Sequence, residues 1–232
     1  MLTHRPAAER GRTRLAWLDS RHSFSFDQYY DPRHMGFRSL RVINDDLVAP
    51  GAGFPAHPHR DMEILTWVIE GAVDHADSMG TGSTVRAGEM QRMSAGSGIT
   101  HSEFNHSPTE PLRLLQIWIR PERKGIPPGY EQKAFSLEQR RNRLLLAASR
   151  DGRNGSLTLC QDAEVYIANP DAGAVLSHRF AQGRHGWIQV ARGSLSVNGV
   201  ELQEGDGLAV TGEESLEIRS SQGAELLLFD LA

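Results

Sequence analysis

The sequence predicts an all-β protein made of two successive β-barrels, and three observations carry that prediction. From Phe37 onward the apolar residues come in short runs divided by Gly, Pro, Asn and Asp, the texture of a sandwich or barrel. A stretch of different composition, PERKGIPPGYEQ, interrupts the runs once, beyond Arg120. The runs on either side of it share a faint repeat: WVIEGAV with VRAGEMQRM in the first half, QVARGSL with LQEGDGLAV in the second. This sets Gly71 on Gly193 and Gly88 on Gly205. The division that follows is a first barrel over 1–120, a connection over 121–135 and a second barrel over 136–232.

Taken in order, the leader MLTHRPAAERGRTR is polar throughout, and Leu15 to Phe26 mixes aromatic and polar residues without helical period. Asp31-Pro32 and Gly36 mark turns, so irregular structure covering one edge of a sheet is expected up to Phe37. SLRVI, MEILTWVIE, AVDHADSM, STVRAG, EMQRMSAG, ITHSEFN and RLLQIWIR then read as strands. Past the connection, Ser136 is placed to cap a short helix ending near Arg143. Strands resume with RLLLAAS and run to AELLLFDL, and Asn198-Gly199 between SLSV and VEL marks a two-residue hairpin.

Composition excludes several classes of function. With 232 residues, 39% hydrophobic and 23% charged, the chain can bury a full core without staples. No apolar run approaches the roughly 18 residues of a membrane helix, and nothing resembles a secretory signal. The single cysteine, Cys160, agrees with a reducing compartment, so a cytoplasmic location is expected. A net charge of -4 gives no electrostatic reason to expect nucleic acid.

The chemistry is concentrated between Gly51 and Asn105. His57 and His59 are separated by one residue, as are His101 and Glu103, and on a strand that spacing sends both members of a pair out of one face. Two such strands facing each other inside a barrel would gather three imidazoles and one carboxylate at a point, a metal site with a mouth. Neutral nitrogen and oxygen donors without thiolate suit first-row divalent ions. Fe(II) is favoured because open positions on it serve oxygen chemistry, and Ni, Co, Mn, Cu or Zn are other possible occupants. His22, His34, His75 and His106 have no partner at ligand spacing and are read as structural or surface residues. His178 and His185 are read in the same way, so the second barrel is expected to hold no metal.

The residues at this point carry a resemblance. G-x5-HPH-x3-E-x7-G, from Gly51 to Gly71, resembles the first cupin motif, and G-x12-H-x3-N, from Gly88 to Asn105, resembles the second. GFPAHPHRDMEILTWVIEG, DSMG and MSAGSGITHSEFN, with the earlier RVINDD and YDP, are similar to the pirin family of bicupins, whose two jelly-roll-like barrels face each other. The seven residues between Glu63 and Gly71, and the glycines at 96 and 98, fit the pirin variant better than the general pattern. Over the second barrel the likeness rests on length and the closing LLLFDL.

Within the family the likeness is to bacterial members with quercetin 2,3-dioxygenase activity. The resemblance implies His57, His59, His101 and Glu103 as metal ligands. Glu63, a ligand in many cupins, lies four residues past His59, so strand alternation keeps it on the same face, behind them. The resemblance further implies a small aromatic substrate and dioxygen: the enol hydroxyl of a flavonol binds the metal, Glu103 acts as base, and ring cleavage releases carbon monoxide and a depside. Phe54, Met90, Met93 and Phe104 are expected to line the mouth. The family also contains regulatory metal-binding proteins, so a protein partner is the alternative expectation. A monomer is expected, because two fused barrels already pair the edges that single barrels pair by dimerising.

Overall fold

In a computed structural model describing residues 1–232, the chain is two jelly rolls packed back to back, almost entirely of strands. The first has a seven-stranded antiparallel sheet, ordered Gly129–Ala134, Glu89–Ser94, Glu63–Glu70, Leu112–Ile119, Leu40–Val48, Leu18–His22 and Gly11–Arg14. A four-stranded sheet ordered Gly53–His59, Ile99–Asn105, Ala72–Asp77 and Gly82–Arg86 faces it. The second unit is one ten-stranded sheet folded over on itself. Its long strand His185–Val197 bulges between Val190 and Arg192. The first half pairs with Gly207–Thr211 and Ala224–Leu231, and the second half turns away to pair with Val200–Gln203 and Ser215–Arg219.

The seven-stranded sheet is buried on both faces, which explains why its strands read as unbroken apolar runs rather than alternations. Along Glu63–Glu70, Leu65, Trp67 and Ile69 join a core of 23 buried residues that includes Ala147, Val165, Trp187, Leu227 and Phe229 of the second unit. Ile64, Thr66 and Val68 turn to the opposite side, toward the four-stranded sheet. The largest apolar core of the molecule therefore lies between the two jelly rolls.

The internal repeat is visible in the backbone. Gly71 and Gly193 both have left-handed φ, 77° and 72°, and each lies against the start of a strand, at Leu112 in one unit and Ala224 in the other. A Cβ at either position would crowd that strand, so glycine is required. Gly88 N–H donates to Val68 O at 3.0 Å and Gly205 N–H to Val190 O at 2.9 Å, three residues before the paired glycine in both cases.

Two stretches differ from the sequence reading. The polar leader supplies strands: Leu2–Arg5 adds to the second unit beside Gly207–Thr211, while Gly11–Arg14 and Leu18–His22 extend the seven-stranded sheet. The stretch 121–135 contains Gly129–Ala134, which pairs along Glu89–Ser94. Leu2–Arg5, Gly11–Arg14 and Gly129–Ala134 are edge strands, and strands exposed along one side need no apolar run to be held by the ladder. The short helix is present as Leu137–Arg140, with Ser136 and Gln139 forming a reciprocal cap. At the hairpin, Asn198 and Gly199 have φ of 47° and 83°, as a type I′ turn requires.

Among the side-chain bonds that cross the junction, Trp67 Nε1 donates to Glu225 Oε1 at 2.6 Å, with both residues buried. Trp67→Phe keeps most of the ring and removes the donor, leaving a buried carboxylate oxygen less satisfied. Urea unfolding is expected to show a loss of about 1–3 kcal/mol.

Candidate metal centre

The site is built where the two sheets of the first unit face each other. Ile99–Asn105 runs between Gly53–His59 and Ala72–Asp77, and register places His101 directly opposite His57 on one side and Asp77 on the other. His59 follows two residues after His57 on the same face. Gly53 lets the strands approach: a Cβ there would lie 2.3 Å from Glu103 O and 2.5 Å from Phe104 Cα. The rings of His57, His59 and His101 have centroids 4.5 to 4.9 Å apart, and their nitrogens lie within 4.8 Å of one another.

His57 Nδ1–H donates to Pro55 O at 2.7 Å, which fixes the tautomer and leaves Nε2 with a lone pair. His101 is 2% exposed, and neither of its ring nitrogens has a hydrogen-bond partner. Burial, reinforced by the neighbouring imidazoles, pushes the His101 pKa well below its usual value; burial and His57 push His59 down to about 4. At neutral pH both rings are therefore uncharged, the form in which imidazole binds metals.

Glu103 is held separately, by the opposite sheet. Five strands contribute a row of polar side chains in register: His22, Asn44, Gln116, Thr66 and Gln91. Gln91 Nε2 donates to Glu103 Oε1 at 2.6 Å and Gln116 Nε2 to Oε2 at 2.7 Å, with the Thr66 hydroxyl 3.2 Å from Oε1. Burial outweighs these donors and raises the Glu103 pKa to about 7. The carboxylate lies within ligand reach of His101 and of His75 rather than of all three clustered histidines.

Sequence reasoning passed over His75, which register sets opposite Glu103. It is buried, stacks on Tyr130 at 4.7 Å, donates from Nε2 to Asp77 Oδ2 at 3.1 Å and keeps an unpartnered Nδ1. Its spacing from Asp77 was the available signal, a histidine two residues from a carboxylate on one strand.

The histidines open onto a cavity of about 470 Å³. Leu15, Trp17, Phe26, Phe54, Ile64 and Trp118 form its apolar walls, while Ser20, His22, Asn44, Asp46, Glu103 and Gln116 form the polar side. Of the residues expected at the mouth only Phe54 lines it. Met90 points into the core between the units, Met93 packs under Ile64, and Phe104 faces outward. Met90 is displaced because its neighbour Gln91 takes the inward position.

Glu63 also departs from expectation. It faces the second unit, where Oε2 accepts from Ser94 Oγ at 2.9 Å and Cys160 N at 3.2 Å. Between His59 and Glu63 the chain leaves one sheet for the other through Asp61, at φ 50°, so alternation does not carry across.

Two jelly rolls in tandem, with a histidine cluster inside the first, make the chain a bicupin. The family model described as pirin matches residues 4–119, and one described as a quercetinase C-terminal cupin domain matches 146–231. A quercetin 2,3-dioxygenase of Escherichia coli K12 is 51% identical over 233 residues, spanning 100% of this chain and 99% of the relative. A pirin-like protein of Caulobacter vibrioides is 40% identical, with 100% of both chains covered. The crystal structure of the bacterial pirin YhhW from Escherichia coli in complex with nickel(II) superposes with a TM-score of 0.95 at 50% identity, covering 100% of this chain and 99% of that one. The chain belongs to the pirin family.

Asp46 is the other buried carboxyl of the cavity, and burial raises its pKa from an ordinary 3.8 to about 7. A raised carboxyl pKa means that stability is fully present below about pH 4 and is lost as the pH rises through about 7. In urea unfolding of the metal-free protein, Asp46→Asn should match the wild type at pH 4. At pH 8 it should be more stable by up to about 4 kcal/mol.

Proposed function

We propose that this protein is a metal-dependent dioxygenase of flavonol-like aromatics, with His57, His59, His101 and Glu103 holding one divalent ion and Glu103 also serving as base. The observation that carries the reading is His101: a buried imidazole with two unpartnered nitrogens, beside two more imidazoles, is a donor lacking an acceptor. A divalent cation fits this set of nitrogen and carboxylate donors, Fe(II) being favoured and Ni(II) equally compatible with the chemistry of the donors. Such an ion would supply a Lewis acid with positions left open to the substrate oxygen and to dioxygen.

The remaining roles fall to the chain itself. Trp17, Phe54 and Trp118 offer flat apolar surfaces to a planar ring system and keep water from it; Trp17 and Phe54 meet edge to face at 5.1 Å. Gln91 and Gln116 hold Glu103 in one orientation, each through one oxygen, so the carboxylate keeps lone pairs free. A carboxylate whose pKa is raised to about 7 is matched to taking a proton from an enol hydroxyl near neutral pH. The names of the Escherichia coli and other bacterial relatives support the substrate class.

Anaerobic reconstitution of the metal-free protein with Fe(II) or Ni(II), followed by oxygen uptake and carbon monoxide release with quercetin, tests the reading. Carbon monoxide should form in step with oxygen consumed. His57→Ala should lose tight metal binding and turnover together, and Glu103→Gln should lower kcat by about 10²–10⁴-fold. Turnover by the metal-free protein would overturn the proposal.

A further inference from the structure

Asp45 and Asp46 are adjacent on Leu40–Val48 and face opposite ways, and the contrast between them is informative. Asp45 is a structural carboxylate: Arg113 donates to its two oxygens at 3.0 and 3.1 Å, and Arg10 approaches at 3.4 Å. Asp46 is 2% exposed, lines the cavity and has no cation beside it. Its Oδ1 is buried with no hydrogen-bond partner.

His22 and Gln116, on the same wall of the cavity, are engaged elsewhere. His22 donates from Nδ1 to Asn44 Oδ1 at 2.8 Å and accepts from the Thr13 hydroxyl at 2.9 Å, and Gln116 is committed to Glu103. Across the sheet Asp46 stands level with Ser20 on one side and Leu114 on the other, just where the polar row gives way to the apolar cluster of Leu18, Val48 and Leu112. A buried acceptor without a donor destabilises a fold unless something supplies the donor. Here the open side is the cavity, whose facing walls are aromatic.

Resting on the dioxygenase reading, we propose that Asp46 sets substrate specificity by accepting a hydrogen bond from a hydroxyl remote from the metal-facing oxygens. The site therefore selects polyhydroxylated flavonol-like aromatics over analogues without that hydroxyl. A site built around a buried hydrogen-bonding group discriminates strongly, because the wrong ligand leaves the group desolvated and unpaired. The aromatic walls provide affinity for any planar ring and Asp46 the choice among them. The carboxyl also remains where an amide would sit at lower cost to the fold, as expected of a group kept for binding.

The test is equilibrium binding to the nickel(II)-loaded protein without oxygen, read by quenching of the tryptophans, two of which line the cavity. The probes are quercetin and 3-hydroxyflavone, which keeps the 3-hydroxyl and 4-keto pair and lacks every other hydroxyl. The wild type should prefer quercetin, and Asp46→Val should reduce the ratio of the two dissociation constants by about 10-fold or more. Asp46→Asn, which retains a carbonyl acceptor, should fall between them, and Asp46→Ala replaces the valine variant if that does not load metal. An unchanged ratio in Asp46→Val, or no preference in the wild type, would overturn the assignment. Hydroxyl-dependent binding lost in Asp46→Val, with no oxygen consumed once air is admitted, would uphold Asp46 and overturn the dioxygenase reading instead.

Discussion

A carboxylate buried between two sheets has to be given donors, and the first jelly roll is arranged around that need. Glu103 enters from the four-stranded sheet; Gln91, Gln116 and Thr66 meet it from three neighbouring strands of the seven-stranded sheet. These three must stand level for their side chains to converge, so the register of Glu89–Ser94, Glu63–Glu70 and Leu112–Ile119 is tied to one acceptor. A slip of one residue in any of them would turn its donor toward the second unit and leave Glu103 short of a partner. The bulge between His101 and Glu103, opposite Gly53–His59, lets the strand serve the histidine cluster and this clamp together.

A polar interior is a poor source of cohesion, and that constraint accounts for the second jelly roll. Apolar clusters inside the first unit comprise seven and four buried residues, whereas the core shared between the units has 23. The seven-stranded sheet keeps its inner face for chemistry and draws stability from its outer face, against Val165, Leu227 and Phe229. Because apolar burial is the dominant favourable contribution to folding, the unit without the histidine cluster stabilises the unit that has it. Leu2–Arg5, paired with Gly207–Thr211, and Arg113, which joins Asp45 to Glu204, fasten the two at the rim.

Features with a strict period were legible in the sequence. Alternation at His57/His59 set both rings beside His101, while the register breaks between His101 and Glu103 and leaves the carboxylate nearer His75; the paired glycines at 71 and 193 reflected one backbone requirement met twice. What failed was reasoning carried across a change of sheet: Glu63 lies beyond the Asp61 turn, so counting by twos from His59 set it on the wrong side. His75 carried a signal in its spacing from Asp77 that was passed over, whereas Asp46 gave none, because it joins the site through a neighbouring strand rather than along its own. The aromatic leader was the least legible part. Trp17 and Phe26 reach the cavity only because Leu18–His22 extends the large sheet beside Leu40–Val48.

The charge state of the interior follows from the same geometry. Burial moves the imidazoles of His59, His75 and His101 down and the carboxyls of Asp46 and Glu103 up, so each group is driven toward its neutral form. The arrangement thus avoids buried charge near neutral pH by keeping protons on acids and off bases. For an imidazole that is already the state a cation needs, whereas a carboxyl ligand must first lose its proton. On the proposed ligand set, binding of a divalent ion would be coupled to proton release from Glu103. Asp46 is relieved only in part: Ser20 lies beside it, while its Oδ1 finds no partner in the protein, so this interior carries two separate polar deficits, one at His101 and one at Asp46.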